Sequence, residues 1–100
     1  MTSGQQPARH WLLFVAGGEP NSTRARENLA ALQRAAGPGC AVEVVDVLED
    51  FQRALEHDVL VTPSLIQLEP APRVTVLGAL SDAERVAAAL GLELEPGDAP

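Results

Sequence analysis

The sequence predicts a single α/β domain with the element order β-α-β-α-β-β-α. Three observations carry this. A short unbroken apolar run near the start ends in two glycines. A β-branched run follows an amphipathic helical stretch. Two strand-like segments joined by a proline-rich turn precede an alanine-rich helix. At 100 residues the chain is one domain's worth. Folding at this size buries roughly 60–70% of the unfolded surface, so a compact core needs neither metal nor disulfide.

Trp11 to Ala16 is the first apolar run, stopped by Gly17-Gly18. Its length and stop predict a strand buried on both faces; a buried helix is the alternative, for which six residues is short. Thr23 to Ala36 predicts a helix. Ala25, Leu29, Leu32 and Ala36 share one face, Asn21 or Ser22 is the expected N-cap, and Gly37-Pro38-Gly39 ends it. Cys40 to Leu48 is rich in β-branched residues and predicts the second strand. Glu49 to His57 predicts a short helix capped by Asp50, with Phe51, Ala54 and Leu55 facing inward.

Ser64 to Leu68 and Arg73 to Leu77 predict a strand pair around Glu69-Pro70-Ala71-Pro72, closed by Gly78. The last helix is expected to start at Ser81, whose spacing to Glu84 fits a capping box, and to stop at Gly91. Residues 1–9 and 95–100 are expected as loose tails around a domain of residues 10–94. The order places the first two strands parallel through a right-handed crossover and adds the hairpin antiparallel, which matches the thioredoxin-like layout.

Charge narrows the partners. Fourteen Asp and Glu residues against seven basic ones give a net charge of −7. All the basic residues are arginine. That field repels phosphate backbones and anionic lipid, so neither nucleic acid nor membrane is an expected partner. No apolar run approaches the ~20 residues of a membrane span, and Met1 to His10 lacks the apolar core of a signal peptide. A soluble cytoplasmic domain is the default expectation.

Little in the chain suggests catalysis. Thioredoxins place their reactive thiol after the first strand, where this chain has Gly17 to Ser22 and no cysteine. Cys40 stands alone and suits a small apolar residue at a strand edge. His10 and His57 have no metal-ligand spacing and are expected at the surface. Ser22 and Ser81 are expected as helix caps rather than nucleophiles. The carboxylates around Glu49 to Asp58 lack calcium-loop spacing and are expected as a solvated face. Gly17-Gly18 lacks the remainder of a phosphate loop. Thr62-Pro63 opens a strand where thioredoxin-like folds keep a cis peptide; sequence leaves cis and trans open. No cofactor or metal is expected.

A family resemblance runs through these elements. Phe14-Val15-Ala16-Gly17, Pro20-Asn21-Ser22 and Arg24-Ala25 resemble the opening signature of the KaiB family of circadian clock proteins. Val45-Asp46-Val47-Leu48, Leu60, Thr62-Pro63 and Leu65 continue the resemblance. So do Pro70, Pro72, Gly78, Leu80-Ser81, Glu84, Val86, Leu90 and Leu92. It covers residues 11–92.

The resemblance implies a non-enzymatic binding protein that acts on a KaiC-type ATPase ring, in a circadian rhythm or in stress adaptation. In that setting KaiB captures KaiA and displaces the sensor kinase SasA. The alternative readings are a SasA-type sensor domain for histidine kinase signalling and, behind it, a thioredoxin-fold oxidoreductase. It also implies a fold switch between a tetrameric resting form and a monomeric thioredoxin-like form. Pro20, Asn21, Ser22 and Arg24 are the expected partner contacts. Thr62, Pro63, Pro70, Pro72, Gly78, Ala89 and Gly91 are the expected switch positions. The family usually has Gly where this chain has Ala89 and Asp where it has Gly91. Alanine favours the helix by ~1 kcal/mol over glycine, so the monomeric thioredoxin-like form is expected to dominate.

The family's basic residues at the positions of Glu43, Asp58, Gln67, Val74 and Thr75 are absent, while Arg24 remains. This departure implies a changed partner or one with a more basic surface.

Overall fold

A computed structural model describes residues 8–93. Four strands and three helices follow the expected order: β1 (Arg9–Val15), α1 (Pro20–Ala36), β2 (Cys40–Asp46), α2 (Phe51–Glu56), β3 (Ser64–Glu69), β4 (Val74–Leu77) and α3 (Ala83–Leu90). The sheet order is β2-β1-β3-β4. β1 runs parallel to β2 with Leu13 opposite Val44, and antiparallel to β3 with Leu13 opposite Leu65. β4 pairs antiparallel with β3.

Alternation along β1 builds two cores. Trp11, Leu13 and Val15 meet Ala25, Leu29 and Leu32 of α1 and Val86, Ala87 and Leu90 of α3. Leu12 and Phe14 point the other way, to Val45, Ala54 and Ile66. The sheet is thus covered by two helices on one face and by the short α2 on the other. All five residues from Trp11 to Val15 are buried, as a strand covered on both faces requires.

Several boundaries differ from the sequence expectation, each for a local reason. Arg9, placed in the tail, opens β1, because its N–H donates to the Gly39 carbonyl and it pairs with Cys40. His10 accordingly lies within the strand and is half-buried. α1 begins at Pro20, and its N-cap is Glu19 rather than Asn21 or Ser22. The Glu19 carbonyl accepts the first helical bond, from Thr23. Proline suits the first helical position, where no donor is needed. β2 ends at Asp46, two residues before Leu48. The N-cap of α3 is Asp82, not Ser81: the Asp82 carbonyl accepts from Val86 and its side chain accepts from Arg85 N–H.

In α2, Asp50 caps as expected and Ala54 is buried, but Phe51 and Leu55 face solvent. A six-residue helix rests on the sheet through one small residue, and its larger apolar side chains flank that contact. Thr62-Pro63 is cis, as are Glu69-Pro70 and Ala71-Pro72. Leu80 is buried with φ 63, an uncommon conformation for a branched residue. The expected tails at 1–7 and 95–100, and residue 94 of the expected domain, lie outside the described residues.

Candidate functional site

The expected contact residues sit where β1 hands over to α1, beside the C-terminal ends of the two parallel strands. The Glu19 carboxylate accepts from the N–H groups of Asn21 and Ser22 at 3.1 and 3.0 Å. Those bonds, led by the one from Asn21 and assisted by the nearby Arg24 charge, hold its carboxyl below the usual glutamate range. The helix therefore supplies its own anion to its positive end. Arg24 donates to Asn21 Oδ1 at 2.9 Å, and Arg26 reaches back to the Gly17 carbonyl at 3.0 Å.

Ser22 differs from its three neighbours. It is fully buried, and its Oγ accepts from the Ala16 N–H at 3.0 Å. It ties the first turn of α1 to the end of β1. Pro20, Asn21 and Arg24 are exposed above it. A second tie comes from Asp46, whose Oδ1 accepts from both Gly17 N–H (3.1 Å) and Leu48 N–H (3.0 Å). Gly17 needs its φ of 53, and a β-carbon there would stand 3.2 Å from Leu48 Cδ1. The two loops at this end are one hydrogen-bonded unit, filled by its own side chains.

Two of the expected switch positions meet directly, since Gly78 N–H donates to the Pro63 carbonyl at 2.9 Å and brings the end of β4 to the start of β3. Thr62, beside Pro63, is half-buried. Pro70 and Pro72 lie exposed in the β3–β4 turn. Ala89 is exposed on α3, and Gly91 closes that helix at φ 74.

A surface that periodicity did not show lies around α2. Leu48 (74% exposed) enters the helix, Phe51 (65%) and Leu55 lie one turn apart on it, and Leu60 (92%) and Val61 leave it. Between Glu43 and Asp58 six carboxylates (Glu43, Asp46, Glu49, Asp50, Glu56, Asp58) stand against one arginine. Arg53 is committed to Glu43 in a two-pronged pair at 2.9 and 3.0 Å, which holds the Glu43 carboxyl below its usual range. A shallow open hollow of about 170 Å³ runs along Glu43–Asp46, Glu49, Asp50 and Arg53. Apolar groups rimmed by carboxylates suit a basic protein surface.

The positions at which the resemblance implies basic residues do not share one surface. Glu43, Asp58 and Thr75 are exposed, Val74 leans on the main core, and Gln67 is buried. Gln67 Oε1 accepts from Trp11 Nε1 and from Arg9 Nη1, each at 2.8 Å. Cys40 is half-buried at the start of β2, where burial pushes its thiol pKa up. His57 is half-buried with its ring 5.7 Å from that of Phe14, a partner that its charged sequence neighbourhood did not suggest. Among the described residues no three His, Cys, Asp or Glu side chains gather as a metal site, and no helix is long and apolar enough to cross a membrane.

The architecture is that of a thioredoxin-like domain with no cysteine at the β1–α1 junction. It superposes on the thioredoxin Deadhead of Drosophila melanogaster with TM-score 0.70 at 17% identity, covering 85% of this chain and 80% of that one. It superposes on the N-terminal domain of Synechococcus elongatus SasA with TM-score 0.63 at 26% identity, covering 91% and 90%. The family model of the KaiB domain matches residues 12–92. The circadian clock oscillator protein KaiB of Nostoc punctiforme is 42% identical over 90 residues, 86% of each chain. That of Synechococcus elongatus is 40% identical over 87 residues, 86% of this chain and 83% of its own. The chain belongs to the KaiB family.

Proposed function

We propose that this chain is a non-enzymatic binding module that regulates a KaiC-type ATPase, or a related signalling partner, through a partner face more basic than the family's usual one. The observation that carries this is the apolar, carboxylate-rimmed surface of α2. Phe51, Leu55 and Leu60 are largely exposed and belong to neither core cluster, and an apolar patch of this kind marks an interaction surface. Pro20, Asn21 and Arg24 at the start of α1 extend the contact face, with Ser22 as its support. At the place of a thioredoxin's reactive thiol this chain has no cysteine, and the Ser22 hydroxyl there is buried and accepts from the Ala16 N–H.

The experiment is a titration of the chain against the KaiC-type ATPase of the same genome, at rising salt. Saturable binding that weakens steeply with salt and is lost in Phe51→Ser/Leu55→Ser supports the reading. Binding that is indifferent to those substitutions, or thiol-disulfide activity in an insulin-reduction assay, overturns it. The likeness to the SasA sensor domain favours one second reading, a sensor-type module for a histidine kinase pathway. Competition between this chain and a SasA-type domain for the same ring would support the first reading over the second.

A further inference from the structure

The three helices end differently. α1 carries Arg34 in its last turn and α2 carries Arg53, whereas α3 has no basic residue there. The negative end of α3 is met instead by Arg9, from the first strand. Its Nη1 donates to the Leu90 carbonyl at 2.6 Å and its Nη2 to the Gly91 carbonyl at 3.3 Å. The helix end divides its carbonyls between two devices. Leu92 N–H returns to Ala87 and Gly91 N–H to Ala88, a Schellman closure. Arg9 takes the carbonyls of Leu90 and Gly91, which that closure does not use. The guanidinium is aimed by Gln67, and Gln67 is fixed in turn by the buried indole of Trp11.

The loop that enters α3 is tied by a side chain as well. Asn28 Nδ2 donates to the Ala79 carbonyl at 2.8 Å, between Gly78 (φ 99) and the strained Leu80 (φ 63). Between these two ties Leu80 is buried ahead of the helix, and Val86, Ala87 and Leu90 are buried within it. A short helix with three buried side chains, held at each end by one side chain from another element, is suited to open as a unit.

We propose that Arg9 is a latch: with Gln67 as its positioning residue, it holds α3 on the sheet, and its release lets α3 open while the sheet stays folded. Opening uncovers Trp11, Leu13 and Leu65, a second apolar surface distinct from that of α2. The sole tryptophan lies in the latch and reports on it.

The test is site-resolved amide exchange on Arg9→Met and Arg9→Lys. In Arg9→Met the amides of Val86 to Leu92 should exchange at least about tenfold faster, with those of Leu13 and Leu65 unchanged or much less affected. Arg9→Lys keeps the charge but not the fork, so it should fall between. Trp11 emission should shift to the red in Arg9→Met at urea concentrations that leave the far-ultraviolet signal of the wild type intact. Should Arg9→Met fail to fold, the milder Arg9→Lys carries the same comparison. Equal acceleration in α3 and in β1 and β3 would show a general stabilising role and overturn the latch, as would unchanged exchange in α3.

Discussion

The backbone N–H of Ala16 donates to Ser22 Oγ, joining the last turn of chain after β1 to the first turn of α1. Both ends of this bond lie where a thioredoxin-like fold would otherwise present its reactive group. Here the bond uses the hydroxyl to satisfy the backbone. Ser22→Ala leaves the half-buried Ala16 N–H without its partner, which costs about 1 kcal/mol, the low end of the range for an unsatisfied buried group. Urea denaturation should show that loss, and binding measured on the folded fraction should be unchanged. A neutral Ser22→Ala would mean that the junction closes without this bond.

Glu19 gives the junction a pH dependence of known sign. Its carboxyl is held below the usual range in the folded chain, first by the Asn21 N–H. A group with a depressed folded pKa contributes stability above its unfolded value, ~4.3 for glutamate, and loses it as pH falls through the folded value. The stability difference between the wild type and Glu19→Gln should therefore be full at pH 7 and shrink between about pH 5 and pH 3. Denaturation midpoints across that window check it, and a difference independent of pH would show that the carboxylate charge is not what caps α1. The exposed Glu43–Arg53 pair acts in the same direction but is screened by salt.

Gln67 shows how a single departure from the family pattern has a local cause. It is 3% exposed and serves Trp11 and Arg9 together. A lysine there would remove the acceptor of the indole N–H and place a second cation beside Arg9. Gln67→Lys should cost about 3 kcal/mol or more, the range for an uncompensated buried charge. Gln67→Leu leaves the indole N–H orphaned without adding charge and should cost less, about 1–3 kcal/mol. Thermal or urea unfolding of the two variants tests the order. Lysine tolerated better than leucine would place this position at the surface after all.

The element order, the parallel β1–β2 pair and the two-faced core were legible because residues 11–15 and 64–68 carry their burial in their residue types and residues 40–47 their strand preference in β-branched side chains. The helix caps were less legible. Glu19 and Asp82 compete with adjacent Asn21, Ser22 and Ser81, all good caps, and only the path of the chain decides among them. Phe51 and Leu55 fit an inward-facing pattern with Ala54, and periodicity has no term for a helix too short to bury its flanks. Arg9, Trp11, Gln67 and Leu90 are scattered through the chain and have no local signal at all. The residues expected as contacts, Pro20, Asn21, Ser22 and Arg24, were legible as a helix start, but their division into an exposed set and a buried support was not.

The end of α3 tests the expectation that this chain favours the thioredoxin-like arrangement. Gly91 sits at φ 74 and Ala89 is exposed within the helix. Ala89→Gly costs about 1 kcal/mol of helix propensity. Gly91→Asp forces a side chain into the left-handed region at about 1 kcal/mol and sets a negative charge against the negative helix end. The double variant should lose helical chemical shifts over residues 83–90 before the sheet is affected. Strand-like shifts for residues 82–90 of the wild type would overturn the expectation itself.

The α2 surface separates binding from stability. Phe51 and Leu55 are largely exposed, so Phe51→Ser and Leu55→Ser should change unfolding free energy by no more than about 0.5 kcal/mol each. If this face meets a partner, the same substitutions remove anchors from the interface centre and should weaken binding at least about tenfold. Ala54→Asp is the contrasting control: Ala54 is the one residue by which α2 rests on Phe14, Val45 and Ile66, and a carboxylate there should detach the helix and unfold the smaller core. Charge supplies the second dimension. Glu49→Lys with Asp50→Lys lies at the rim, away from the apolar anchors, and should chiefly lower the association rate for a basic partner and flatten its salt dependence. Surface plasmon resonance at two salt concentrations reads both effects. A faster association for the charge-reversed variant would mean that the partner's face is acidic, and that the carboxylates here repel it.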